Sequence, residues 1–398
     1  MSVLAIDAGT TGVTAVVVDG AGSILASGLQ ELDQHVPQPG WLEHAPEEIW
    51  QATLAATREV LRQVDPGGLE GLGITNQRGT ILLWDRETLG SPRRAIVRQD
   101  RRTADICTRL RDAGHEERVA ELTGLRLDPC SSATKLMWLA EHEPHTWALV
   151  QSGRYALGTV DSYLVARMTR GTYHVTDVSN ASRTLLLDLA GGEWSDELCA
   201  LFGVPLDALP ELVPSWGEVA TTDSRSFLGL SLPIAGIAGD QQSALVGQTC
   251  FDEGDAACTQ WSVLANTGTA LVRSDAGLLS TAAWRSPDGG LTYALEGETA
   301  GGVATADDLC DLLGRMPTGS VLRIDGVPAA DDRLCQDLAD RTAIPVERSS
   351  GTGSTVLGAA FLAGLGTGVW SSTDELRQVR RLDRRFEPSD RSHADFDG

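Results

Sequence analysis

The chain opens on two apolar runs, Val3 to Ile6 and Val13 to Val18. Between them lie an acid, Asp7, and the polar turn Gly9-Thr10-Thr11-Gly12. β-Branched residues on both sides of a short glycine turn predict a hairpin. Its tip offers hydroxyls and open backbone N–H groups, which suit an anion, and the carboxylate beside it suits a divalent cation held through water. A plain glycine-tipped hairpin fits the same residues. Ser23 to Leu32 continues as a third strand, and Pro37-Gln38-Pro39-Gly40-Trp41 interrupts it as a loop. Ala45-Pro46-Glu47-Glu48 then opens a helix that runs to Gln63. Leu69 to Thr75 is the next buried strand, ending in the polar Asn76-Gln77-Arg78-Gly79. Short strands follow at 81–84 and 95–97, and helical spacing covers 102–122 and 134–142.

The second half repeats the theme. Pro233 to Ala238 is an apolar strand that runs into Gly239-Asp240-Gln241-Gln242 and then a helix. Ala256 to Val272 reads as a pair of strands broken at Asn266-Thr267-Gly268-Thr269, a second copy of the opening hairpin. A strand at Val321 to Asp325, a helix at Asp331 to Asp340 and a small-residue helix at Val356 to Leu365 complete it. The pattern predicts two related α/β domains around a cleft, 1–248 and 249–385, with a loosely held charged tail at 386–398.

A length of 398 residues suits two cores. The formal charge of −23 excludes a nucleic-acid surface, because phosphate backbones would be repelled. An acidic enzyme can still bind a nucleotide if backbone N–H groups, arginines or Mg²⁺ compensate locally. No apolar run is long enough to span a membrane, and the chain enters a strand at once without a basic leader, so a cytoplasmic protein is expected. The seven cysteines, without a CxxC, fit reduced thiols better than a disulfide framework or a zinc site. Of 32 basic residues only Lys135 is lysine, which reads as a compositional bias towards arginine.

With these residues in view the chain resembles the FGGY family of carbohydrate kinases, and within it the glycerol kinase pattern. The likeness is carried by Asp7 to Thr11, Pro39 to His44, Gly73 to Arg78, Ser132 to Trp138, Gly158 to Asp161, His174 to Leu185, Gly236 to Leu245, Tyr293 to Gly297 and Leu357 to Gly364. It implies two ribonuclease-H-like, actin-like ATPase domains closing on ATP and a polyol or sugar. The Gly9, Thr10, Thr11 and Gly12 turn would cradle ATP phosphates, and Asp7 would sit near Mg²⁺. Asp240 would take the proton of the attacking hydroxyl, while Arg78 and Gln241 hold the acceptor's other hydroxyls. Gly-Asp before a helix is also good N-capping chemistry for Asp240.

The departures from the pattern fall on functional positions. Gly79 stands where a glycerol-binding glutamate is expected, Arg98 where a tryptophan is, and Cys130 where a tyrosine is. Losing a buried carboxylate and two aromatic walls should weaken acceptor binding by about 1–3 kcal/mol each, so the acceptor is larger or anionic, or binding has decayed. On the nucleotide side Thr14 replaces an arginine, and a Gly-Thr-Gly turn is missing between Gln260 and Trp261. Gly268 and Thr269 are a possible substitute for that turn. Asp325-Gly326-Val327-Pro328 replaces Asp-Gly-Gly-Ala, leaving Gly326, with two new acids at Asp331 and Asp332. Between Ala300 and Leu322 a segment on the order of a hundred residues is absent, which predicts a truncated, marginal second core with apolar faces open to a homo-oligomer. An ATP-dependent polyol or sugar kinase is therefore weighed against an impaired relative that binds a small molecule or a protein.

Overall fold

The computed structural model describes residues 1–274, 277–298, 305–317, 319, 321–350 and 353–389. The opening hairpin forms as expected, with β1 (Ser2–Ala8) antiparallel to β2 (Gly12–Asp19) and Asp7 paired with Thr14. β3 (Ile24–Glu31) adds an edge strand with Leu25 and Leu29 exposed. The helix α1 (Pro46–Leu61) begins with proline and two glutamates in its first turn, which suits both its free N–H groups and its dipole. It leads into β4 (Leu69–Asn76), which lies parallel to β1. β5 (Trp216–Thr221) and β6 (Pro233–Gly239) complete a six-stranded sheet of order β5-β6-β4-β1-β2-β3. The helical stretch expected at 102–122 is two helices, Ala104–Asp112 and Glu116–Thr123, parted where Gly114 takes a positive φ of 85°.

The helix α2 (Asp240–Gly247) leaves the end of β6 and leads to the second sheet. There β7 (Ala256–Thr259) and β8 (Ser262–Gly268) form a hairpin, followed by β9 (Leu279–Arg285) and β10 (Leu291–Glu298). After α3 (Ala306–Leu313) come β11 (Leu322–Asp325), α4 (Asp332–Thr342), β12 (Val346–Ser349), α5 (Ser354–Thr367) and β13 (Leu382–Phe386). The sheet order is β9-β10-β8-β7-β11-β12-β13. Antiparallel β3-β2-β1 continuing into parallel β4 and β6 matches antiparallel β10-β8-β7 continuing into parallel β11 and β12. The repeat is real, but its turn is not where the pattern put it. The second hairpin turns at Gln260 and Trp261, both at positive φ (50° and 68°), the geometry of a two-residue type I′ turn.

The second core is better filled than its shortened sequence suggested. On one face Cys258, Val263 and Leu295 pack with Leu309, Leu312 and Leu313 of α3 and with Leu338 and Ala339 of α4. That helix pair covers the sheet, so the open apolar face that motivated self-association is absent there. The tail is also partly ordered. Phe386 closes β13 and is buried, while 390–398 lie outside the described residues.

The two sheets meet through α2 and α5. The helix α5 is apolar on every side (Ser-Thr-Val-Leu-Gly-Ala-Ala-Phe-Leu-Ala-Gly-Leu-Gly-Thr), the mark of a helix buried all round. One core holds Val3, Ala5, Val16 and Val18 of the first sheet, Ala257, Leu264 and Ala294 of the second, and Leu245, Ala359 and Ala363 between them. The helices cross at glycines. A Cβ on Gly358 would lie 1.7 Å from the Ser243 carbonyl oxygen, and one on Gly247 would lie 1.9 Å from that of Ser354. Among the described residues no helix is long and apolar enough to cross a membrane.

Gly358→Ala forces that crossing apart. The variant is expected to lose at least about 1–3 kcal/mol of stability, read as a lowered urea midpoint. An unchanged midpoint would show that the helices separate without penalty.

Candidate active site

Three parallel strands end side by side. Ala8 of β1 pairs with Asn76 of β4, and Asn76 with Gly239 of β6. This register gathers Asp7, Arg78 and Asp240 at one sheet edge, the carboxyl ends of the strands where α/β sheets bind ligands. Asp7 is inside the crevice. Burial, and then the nearby charge of Asp240, push its carboxyl up from an ordinary 3.8 to about 7. Its Oδ1 is buried with no hydrogen-bond partner among the described residues. An orphaned buried carboxylate oxygen is a place a divalent cation fits, since a hard cation supplies the countercharge that Asp7 lacks.

The turn after Asp7 is held from three sides. Gly9 N–H donates to the Gly12 carbonyl at 3.0 Å, Gln77 Nε2 to the Gly9 carbonyl at 3.1 Å, and Gln34 Nε2 to the Thr10 carbonyl at 2.7 Å. These bonds occupy carbonyls and leave the N–H groups of Thr10 and Thr11 without an acceptor among the described residues. A fixed turn with free N–H groups is a cradle for phosphate oxygens.

Asp240 is the first residue of α2, with Gly239 in the N-cap position and no side-chain cap bond. Its carboxylate accepts from Gln241 N–H at 2.7 Å and lies 2.7 Å from Arg78 Nε. Capping of the next helical turn is therefore not its task. It is 30% exposed at the side chain, and Gln241 beside it is half-buried. Arg78 is buried, and its Nε, though close to Asp240, makes no aligned hydrogen bond. Its Nη1 and Nη2 each donate to Glu296 at 2.8 Å, and Nη1 also donates to Gln242 Oε1 at 3.2 Å. Burial would push Glu296 up, yet the guanidiniums of Arg183 and Arg78 outweigh it and hold the carboxyl well below the usual range. Glu296 belongs to β10 of the second sheet, so this cluster ties the domains together across the cleft.

Beyond Glu296 opens a cavity of about 560 Å³, lined by Arg98, Arg101, Arg126, Arg183, Cys130 and Glu298 among others. A backbone contact behind its lining residue Cys130 explains one departure. Gly79 has a φ of 74°, and a Cβ there would meet the Cys130 carbonyl oxygen at 2.5 Å, so a glutamate at 79 is incompatible with the present loop. The buried Lys135 clamps the two segments, donating to the Gly79 carbonyl at 2.9 Å and the Cys130 carbonyl at 2.6 Å. Burial lowers its ammonium to about 8. Glu296, Arg183 and Lys135 were missed as site residues by sequence reasoning. A glutamate inside the apolar run Tyr293-Ala294-Leu295-Glu296 was the available signal.

On the nucleotide side the candidates separate. Gly326, at the end of β11, faces the Gln260–Trp261 turn, its Cβ direction 3.6 Å from the Gln260 N. Gly268 and Thr269 are not brought there. They end β8, at the far end of that strand from the turn, with Gly268 against Glu253 and Thr269 exposed. Val327 is 73% exposed. The two acids expected to repel phosphate have structural partners. Asp331 caps α4 through the N–H of Arg333 and of Leu334, and Asp332 pairs with Arg348 and Arg384.

Residues 2–247 match the family model described as FGGY family of carbohydrate kinases, N-terminal domain. The chain is 39% identical to the glycerol kinase of Methylobacterium nodulans over 472 positions, covering 97% of this chain and 94% of the relative. It is also 39% identical to that of Dechloromonas aromatica, covering 97% and 93%. Among solved structures, Plasmodium falciparum glycerol kinase with ADP superposes with a TM-score of 0.92 at 27% identity, over 97% of this chain and 94% of that one. A xylulose kinase from Lactobacillus acidophilus shares the fold with a TM-score of 0.85 at 16% identity, over 98% and 94%. The 472 aligned positions exceed the 398 residues of this chain, so the relatives carry internal residues that it lacks although the match runs nearly end to end.

A carboxyl whose folded-state pKa is raised contributes stability that is full below the unfolded value near 4 and lost as the pH climbs to about 7. Asp7→Asn removes this dependence. The metal-free variant is expected to gain on the parent in urea titrations from about pH 4 to about pH 7 and to hold a constant difference above that. A difference independent of pH would show that Asp7 does not ionise in this window.

Proposed function

The chain belongs to the FGGY family of carbohydrate kinases, the ATP-dependent phosphotransferases acting on glycerol or related sugars, and from that premise we propose that Asp240 is its general base. The fold is the actin-like two-domain ATPase fold of those kinases. What carries the reading is the convergence of Asp7, the Gly9–Gly12 turn and Asp240 at the ends of neighbouring parallel strands. Phosphoryl transfer asks for positioning and charge neutralisation more than covalent help. Within the Gly9–Gly12 turn the free N–H groups of Thr10 and Thr11 would take phosphate oxygens, with Gly326 on the nucleoside side. Mg²⁺, when bound near Asp7, offsets phosphate charge. The acceptor's oxygen bonds to the γ-phosphorus, the bond to the bridging oxygen of ADP breaks, and the hydroxyl proton passes to Asp240. Arg78 fixes the orientation of that carboxylate, and Gln241 is offered to the acceptor's remaining hydroxyls.

A second reading, a relative that binds its ligand without turnover, is favoured by one feature: the two-residue Gln260–Trp261 turn, which leaves fewer N–H groups for phosphate. The free state of all seven cysteines supports placing the protein in the reducing cytoplasm. For a homo-oligomer the edge strand offers exposed Ile24, Leu25 and Leu29, among other exposed apolar positions such as Val36 and Val327.

Asp240→Asn is expected to lower acceptor-dependent ADP release by about 10²–10⁴-fold with the fold intact. Survival of that activity would reject Asp240 as the base, and no ADP release from the parent with any polyol or sugar would favour the second reading.

A further inference from the structure

The cavity beside Glu296 carries a charge pattern that a neutral polyol does not need. Arg98, Arg101, Arg126 and Arg183 face it, against Asp128, Glu296 and Glu298. Arg98 pairs with Glu298, Arg101 with Asp128 at 3.1 Å, and Arg183 lies 3.2 Å from Glu296. Arg126 has no carboxylate partner among the described residues, so the described lining sets four guanidiniums against three carboxylates. Arg183 is 7% exposed, and its Nη1, despite that proximity, makes no aligned hydrogen bond. Each guanidinium presents up to five N–H donors and no acceptor. Three carboxylates cannot accept from that many donors, which leaves N–H groups facing the cavity for the oxygens of water or of a ligand.

The surroundings sharpen the point. A protein of net charge −23 repels anions at long range, so a concave surface with surplus arginine is a local exception to its own field. The departures act in the same direction. Relative to the glycerol kinase pattern, Gly79 removes a carboxylate from this region and Arg98 adds a guanidinium, a gain of two positive charges. Gly79 cannot simply revert, because the Cys130 carbonyl occupies the space of its Cβ.

We propose that this cavity binds the oxyanion of the acceptor, so that the phosphoryl acceptor is a polyol or sugar carrying a carboxylate or phosphate group. The inference rests on the kinase reading for the role of the ligand, though not for its binding. Arg126 and Arg98 bind the anionic end by charge-assisted, bidentate hydrogen bonds. Arg183 holds Glu296, which in turn holds Arg78 and through it the base Asp240. The hydroxyl end and the anionic end are thus received by one connected set of charges.

The test is calorimetric binding without ATP, comparing glycerate with glycerol, gluconate with sorbitol, and ribose 5-phosphate with ribose. At least one anion is expected to bind tenfold or more tighter than its neutral counterpart, and the pairs separate carboxylate from phosphate recognition. Arg126→Gln, a change at an exposed side chain, should bring that ratio towards one, and raised salt should do so in part. Neutral and anionic members binding alike, no binding by any anion at millimolar concentration, or an Arg126→Gln variant with an unchanged ratio would each overturn the proposal. Selective anion binding without ADP release on adding MgATP supports this cavity while rejecting the kinase reading. ADP release with glycerol alone, and no preference for an anion, does the reverse.

Discussion

The crossing of α2 and α5 is the constraint on which the rest depends. Two helices whose backbones approach through Gly247 and Gly358 leave no room for a side chain at the contact. Because residues of both sheets pack on this pair, the crossing sets how the sheets face each other. Asp240 begins one of those helices. At the N-terminus of the other, Asp325 of β11 accepts from Ser354 N–H at 2.7 Å, so the second sheet's strand end is pinned to α5. The position of Asp240, the proposed base, and that of strand β11 are therefore fixed by the same small-residue contact.

A buried ionic cluster closes the gap that the helices set. Arg78 and Arg183 from the first domain share Glu296 of the second, and all three side chains are buried. Removing one partner of such a buried set leaves an uncompensated charge and typically costs about 3–5 kcal/mol, whereas the intact set adds little net stability. Its value lies in geometry. It holds Arg78 where the same guanidinium touches Asp240 on one side and faces the arginine-lined cavity through Glu296 on the other.

The first domain was legible because its pattern is unambiguous. Val3 to Ile6 is a fully buried apolar run and Leu69 to Ile74 is buried except at Glu70, and their polar ends mark where side chains enter the crevice. The second domain misled for a local reason. Ala256 to Gly268 contains a weak apolar run with a conspicuous Asn-Thr-Gly, so the break was placed at 266–269. The backbone instead reverses at Gln260 and Trp261, two residues with no strong preference for the left-handed region. The lost internal segment suggested an open core because pattern reading cannot see that Leu309, Leu312 and Leu313 fold back over Gly297 and Leu295. Glu296 escaped notice because only the fold brings three arginines, from positions 78, 98 and 183, to one strand of the other domain.

The central claim is that one phosphate-binding turn and Asp7 still hold a nucleotide although the second turn has shrunk to two residues. Calorimetric titration of the full chain with ATP, with and without Mg²⁺, tests it most directly. The account predicts saturable binding that weakens sharply when Mg²⁺ is removed. Absence of any binding heat at millimolar MgATP would contradict it.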